Sequence, residues 1–280
     1  MGEDDAGSAA PLTINDLAEQ EQKDFIAEFL DRHSKVIKTH LGCAMPARLS
    51  QNWLGSLLLC TDEIHFKDRF MAECDVRYSR NTIKIPAFLQ ICISLLLAKD
   101  LSQRGIFRIN STTARVQAAK AMIFDVVEGR IDAAVGRDML ETSFDAIDIA
   151  ETYKHLLRSF NTSVFPGSFI PLARAILKIQ DGDAKRICTR VFLYSLPFTN
   201  RRILESNVKL CHLILQRQEE SNDGDERHKK GQMDLSGMSR VMMPCLFLKV
   251  NDEIVMEDVL EVVEFSDYLF HEFESLIAIN

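Results

Sequence analysis

The stretch "IPAFLQICISLLLAKDLSQRGIFRINSTTARVQAAKAMIFDVVEGR", residues 85 to 130, decides the fold. Pro86 suits the first turn of a helix, where a missing N–H costs nothing. Ile85, Leu89, Ile93 and Leu97 then recur every four residues, the spacing of one helix face. Ser111 or Thr112 is placed to cap a second helix, with Val116, Ala119, Ile123 and Val126 or Val127 on its apolar side. Between them stands Gly105-Ile106-Phe107-Arg108. Gly105 permits a sharp turn, Ile106 and Phe107 can anchor it in a core, and Arg108 then projects from a held loop. Two readings stand at this point: a cation presented to a partner, or a loop arginine that caps a helix end or pairs with a nearby Glu.

The same helical grammar extends outward in both directions. Upstream, residues 14 to 41 read as a helix with Leu17, Phe25, Phe29 and Leu30 on one side. Pro46 to Cys60 forms a second apolar segment holding the only Trp, Trp53. Downstream, Asp145 can start a helix carrying Ile149, Tyr153, Leu156, Leu157 and Phe160. Pro171 opens another, and Ile187, Val191 and Tyr194 continue the pattern to Leu196-Pro197. Asn200 can cap a long helix through Ile203, Leu204, Cys211 and Leu215. Two more are expected around residues 235 to 250 and 256 to 277, with Pro244 disturbing the first. No convincing alternating strands and no internal repeat appear. The fold class is all-α, a bundle of about eight to nine helices with an N-terminal helical extension. Residues 1–13 are expected to be disordered, 14–81 to form the extension and 82–275 the main domain, with a flexible loop at 219–231.

Composition supports this. The chain has 280 residues, 46% hydrophobic and 26% charged, with only 7 prolines and 12 glycines, a poor supply of turns for a many-stranded fold. A formal net charge of -8 disfavours nucleic acid and anionic membrane as general partners. The seven cysteines, Cys43, Cys60, Cys74, Cys92, Cys188, Cys211 and Cys245, include no C-x-x-C and read as free core thiols of a reducing compartment. No His/Cys cluster has metal-ligand spacing, so no metal is expected. No signal peptide is visible, and the apolar run Leu89–Ala98 is far short of a membrane span; the expected location is cytoplasmic. No nucleotide-cradling G-x-x-x-x-G-K-[ST], no G-x-G-x-x-G, no G-x-S-x-G and no H-E-x-x-H occurs. The paired carboxylates Glu219-Glu220 and Asp223/Asp225 read as a solvated loop.

That leaves the cations. Lys154 and Arg158, in "AETYKHLLRSF", lie four apart on the helix begun at Asp145. A like-charge pair at this spacing costs about 0.2–0.5 kcal/mol. Two cations at the edge of a buried face suggest an anion nearby, internal or from a partner; simple solvation, helped by Glu151, is the alternative.

In order, these pieces resemble the RhoGAP domain, the GTPase-activating module for Rho-family small GTPases. Its pattern G-[IL]-[FY]-R-x-S-G followed by R-[VI]-x-x-L is matched by Gly105-Ile106-Phe107-Arg108, Asn110-Ser111 and Arg115-Val116. Its L-K-x-[FL]-[LF]-R places Lys154 and Arg158. Its L-P-x-x-[NH] block is matched by Leu196, Pro197, Asn200, Leu204 and His212, and its last block by Met233, Val241 and Pro244. The resemblance implies that Arg108 is an arginine finger, Lys154 a support of the finger loop and of the GTPase contact, and Arg158 a brace of that loop. It implies that Gly105, Asn110, Ser111 and the position of Gly237 lie at the partner surface. The partner is a Rho/Rac/Cdc42-type small GTPase, which supplies GTP and Mg²⁺, so no cofactor of its own is implied and membrane recruitment would run through the GTPase. The protein would be an enzyme activator without a substrate pocket. The chain departs from the pattern at three places: Gly237 replaces an asparagine, "SFNTSVFP" replaces L-P-x-P-L after Arg158, and Thr112 replaces a glycine. A RhoGAP-like module that binds without accelerating hydrolysis, or serves as a scaffold, is the alternative.

Overall fold

In the computed structural model, residues 11–42, 64, 66–101, 103, 105–220, 233–247 and 256–279 are described. The expectations for residues 1–10, for the Pro46–Cys60 segment with Trp53, and for 221–231 fall outside them. Among the described residues eleven α-helices are seen: α1 (Glu19–Arg32), α2 (Ser34–Leu41), α3 (Ala87–Ala98), α4 (Thr113–Val127), α5 (Ala133–Ser143), α6 (Ala146–Arg158), α7 (Ile170–Leu177), α8 (Gly182–Ser195), α9 (Phe198–Glu220), α10 (Leu235–Phe247) and α11 (Met256–Ile277). A two-stranded antiparallel hairpin, β1 (Met71–Cys74) and β2 (Ile83–Pro86), precedes α3. No described helix is long and apolar enough to cross a membrane.

The helix starts follow local chemistry. Thr112 caps α4 by accepting the Arg115 amide, Asp132 caps α5, and Asp181 caps α8. Asp145 and Asp148 form a reciprocal capping box that opens α6. Three expectations are corrected. A short hairpin exists where no strand was read, and Ile85 pairs with Ala72 in it, so Pro86 is the N-cap of α3 rather than its first turn. The expected helix at 14–41 is broken at His33 into α1 and α2, after a short 3₁₀ turn at Ile14–Asp16. Asn200 does not cap α9, which starts at Phe198. Its fully buried amide instead receives the Ile64 amide proton at 3.0 Å and donates to the Val164 carbonyl at 3.0 Å.

One apolar core runs through the molecule and includes Ile14, Ile26, Phe29, Leu30, Ile37 and Leu41 with the residues of α3 to α11. Buried polar groups fasten this N-terminal portion. Glu205 of α9 is fully buried, and its carboxylate accepts from the Asn15 amide at 2.6 Å and from the backbone of Tyr78 and Ser79 at 2.7 and 2.6 Å. Arg201, one turn before it, donates to Asn15 Oδ1 at 3.1 Å and to Gln22. Thr13 also bridges to Ala278, joining the two ends of the described chain. Helix α6 sits among α3, α4 and α10, which leaves its polar arc to meet the loop before α4. The five described cysteines, Cys74, Cys92, Cys188, Cys211 and Cys245, are free and buried; burial pushes the Cys74 thiol up to about 11.

Candidate functional site

The site is built where the Gly105–Asn110 turn lies against α6. Gly105 adopts φ +79°, the left-handed conformation that glycine takes at little cost. Phe107 also has positive φ, 70°, the one described non-glycine residue that does; this costs about 1–2 kcal/mol for a residue with a Cβ. Burial holds it there. Ile106 and Phe107 are 1% and 0% exposed, and the Phe107 ring meets the Tyr153 ring edge-on with centroids 6.2 Å apart. The amides of Arg108 and Ile109 both donate to the Gly105 carbonyl at 2.8 Å. Arg108, Ile109 and Asn110 are exposed, and among the described residues the Arg108 guanidinium has no hydrogen-bond or ion-pair partner.

Lys154 comes up from beneath. It is 3% exposed and donates to the Phe107 carbonyl at 2.6 Å. Its charge is matched by Glu151, one turn earlier, at 2.6 Å. The anion anticipated beside the two cations is therefore internal, and Lys154 is not solvated. Glu151 also lies 3.3 Å from His155. Burial, offset in part by Glu151 and reinforced by Arg158, Lys120 and Lys154, pulls the His155 pKa down. Tyr153 is fixed at its far end by the Asn207 amide, 3.2 Å from its hydroxyl.

Arg158 is half-buried at the last residue of α6. The Cys245 thiol of α10 lies beside it, and no hydrogen bond from Arg158 to the Gly105–Asn110 turn is found among the described residues. The "SFNTSVFP" segment that follows it is tied down from two sides, by Asn200 at the Val164 carbonyl and by the Phe165 amide donating to the Leu246 carbonyl at 2.9 Å. Gly237 lies in the first turn of α10, its amide donating to Asp234 Oδ1 at 2.7 Å. A Cβ there would sit 3.1 Å from that oxygen, so any side chain presses on the cap. The structure thus brings Gly105, Arg108, Asn110, Ser111 and Lys154 together; Arg158 and Gly237 are placed on the flanking α6 end and α10 start.

Two residues that carry this geometry escaped the sequence reading. Asp148 is 3% exposed and accepts from the Ser111 hydroxyl at 2.5 Å and from Arg115 Nε at 2.9 and 2.8 Å. Burial opposes its charge, but the hydrogen bonds from Arg115, Ser111 and the Asp145 backbone outweigh it and hold the pKa at about 2. The Asp145-x-x-Asp148 spacing was the available signal, and it speaks only of a helix start. Tyr153 was legible as inward-facing but not as the ring under Phe107.

A family model for the RhoGAP domain matches residues 86–250. The chain belongs to the RhoGAP domain family. Mouse Rho GTPase-activating protein 40 is 24% identical to this RhoGAP chain over 183 residues, covering 64% of the chain and 24% of the relative. Human Rho GTPase-activating protein 27 is 28% identical over 136 residues, covering 48% of the chain and 14% of the relative. The match therefore spans only a small part of each relative's length. Among solved structures, the BH domain from GRAF, the GTPase regulator associated with focal adhesion kinase, has a TM-score of 0.51 at 17% identity, over 68% of this chain and 93% of that one. Human Rho GTPase activating protein 15 gives 0.53 at 19% identity, over 69% and 84%. These likenesses establish the RhoGAP fold.

Proposed function

We propose that this RhoGAP domain activates a Rho-family small GTPase by inserting Arg108 as an arginine finger into the nucleotide site of its partner. One observation carries the reading: Arg108 is an exposed cation with no described partner, on a turn whose preceding carbonyl is held by buried Lys154 at 2.6 Å. Such a cation loses little conformational entropy on insertion. In the partner it would meet charge developing on the transferred phosphoryl group, an effect worth roughly 10³–10⁵ in rate for this class of finger. GTP and Mg²⁺ belong to the GTPase, so the domain acts as an activator and needs no cofactor of its own. Lys154 supports the turn. Arg158 acts at its side, and Asn110, Ser111 and the Gly237 position contribute to the partner surface, while Gly105, itself buried, shapes the turn. The setting is the cytoplasm, with membranes reached through the GTPase.

A second reading, binding without acceleration, draws on Gly237, where the family pattern has an asparagine. Single-turnover GTP hydrolysis by Rho-, Rac- and Cdc42-type GTPases separates the two. The expected outcome is an acceleration by the wild-type domain that falls by at least about 10³-fold in Arg108→Ala while binding persists. Binding without acceleration by the wild type would favour the second reading, and no binding to any of these GTPases would sink both.

A further inference from the structure

We infer that Asp148 is a positioning residue that pins the exit of the Arg108 turn to α6, as Lys154 pins its entry; the inference rests on the finger reading. Phe107 and Ser111 are the two anchored positions, the first through its carbonyl to Lys154 Nζ and the second through its hydroxyl to Asp148 Oδ1. The three residues between them, Arg108, Ile109 and Asn110, are the exposed ones. Both anchors belong to one helix and are six residues apart, about 9 Å along its axis. The chain from Phe107 to Ser111 reaches at most about 14 Å when extended. A tip held at both feet over that span bulges outward and has little room to swing.

Asp148 serves this purpose with its whole carboxylate. Oδ1 accepts from Ser111 and from Arg115 Nε, while Oδ2 accepts from Arg115 Nε and Nη2 and from the Asp145 amide at 3.0 Å. Arg115 carries the tether further. Its Nη2 also donates to the Ser143 carbonyl at the end of α5 at 2.9 Å, and its guanidinium lies over the Phe144 ring at 5.4 Å. The first turn of α4, the end of α5 and the start of α6 therefore meet at one buried carboxylate, and the Arg108 turn hangs from that junction. A helix N-cap alone requires none of the contacts to Ser111 and Arg115. In the capping box, Asp148 needs only the Asp145 backbone.

The test uses Asp148→Asn and, because that variant also weakens the α6 cap, Arg115→Ala, which leaves the cap intact at a side chain already 47% exposed. Hydrogen exchange is read at the Arg108 and Ile109 amides of the free protein. Single-turnover hydrolysis is read as a maximal rate at saturating domain and a half-saturating concentration. Both variants are expected to speed exchange at these two amides by about ten-fold, with the amides of α8 and α9 unchanged. Both are expected to lower the maximal rate by about ten-fold with little change in half-saturation, the mark of a misplaced group rather than a lost contact. Unchanged exchange in both variants overturns the inference, as does a raised half-saturation with the maximal rate intact, which would make these residues part of the docking surface. Should the wild type accelerate no GTPase, the finger reading fails by itself and the exchange result alone decides whether Asp148 pins the turn.

Discussion

Lys154 shows how much a single buried charge can be asked to do. It is held by Glu151 and spends a further hydrogen bond on the Phe107 carbonyl. Methionine in its place fills the same volume but leaves the buried Glu151 without its lysine. Lys154→Met is expected to cost about 3 kcal/mol, since breaking one side of a buried pair leaves an uncompensated charge. Urea denaturation checks this, and the double variant with Glu151→Leu should recover most of the loss. An undiminished midpoint in the single variant would show that Lys154 is solvated and not holding the turn. At this scale the sequence singled out the cations but not which way they face. Lys154 and Arg158 were legible as a cationic pair four residues apart. That one is sealed against the Phe107 carbonyl and the other ends beside Cys245 depends on the turn before α4 and on α10, which lie far away in the chain. Asp148 was illegible for a related reason: an acid in the first turn of a helix is common enough to be explained by the helix alone.

At the scale of elements, the start of α6 should report on acid. The Asp148 carboxyl is depressed from 3.8 to about 2. A depressed carboxylate contributes stability above its unfolded pKa and loses it as pH falls toward the folded one. The junction is therefore fully present above about pH 4 and fades between about pH 4 and 2. Its worth is on the order of 1–2 kcal/mol, because Arg115 is half in solvent. Thermal melts of the wild type and Arg115→Ala should differ most at pH 5 and converge as the pH approaches 2; a constant gap would mean that the carboxylate contributes nothing. The start of α6, opened by the acidic cap Asp145, could be read directly, whereas the separate start of α8 at its cap Asp181 was not distinguished from the helix opened by Pro171. Two kinds of element could not be read directly. The hairpin strands are four residues each, too short for alternation to register, and the partner of Ile85 is Ala72, separated by the whole turn. Asn200 has the residue type of a cap, yet its amide is consumed by Ile64 and Val164, two groups that local pattern does not contain.

For the whole molecule, the weight of the N-terminal helices is the main consequence of the fold. The stripe of Phe25, Phe29 and Leu30 gave α1 a face, with Leu17 just before it, but a stripe does not name what covers it. In the structure that cover includes Tyr194 of α8, whose ring meets Phe25 and Phe29 edge-on. Arg201 and Glu205 add buried charges that rely on Asn15 and Gln22. A chain shortened to begin at residue 82 removes Asn15, Gln22, Tyr78 and Ser79 together, which takes from Glu205 the donors that satisfy its buried carboxylate and leaves Arg201 the Tyr194 and Leu196 carbonyls. It is expected to melt at least about 10 °C lower than the full chain, or not to fold cooperatively, as read by calorimetry. An unchanged melt would show that residues 14–81 are a passive appendage. The sealed Lys154–Glu151 pair has one more consequence, in the response to ionic strength. Mobile ions screen charges they can approach, over about 8 Å at physiological salt, but do not enter a packed interior. On the proposed finger reading, the encounter of Arg108 with an anionic site is open to that screening, whereas the pair that steadies its turn is not. Added salt would thus slow the meeting of the two proteins while leaving the arginine as firmly aimed as before.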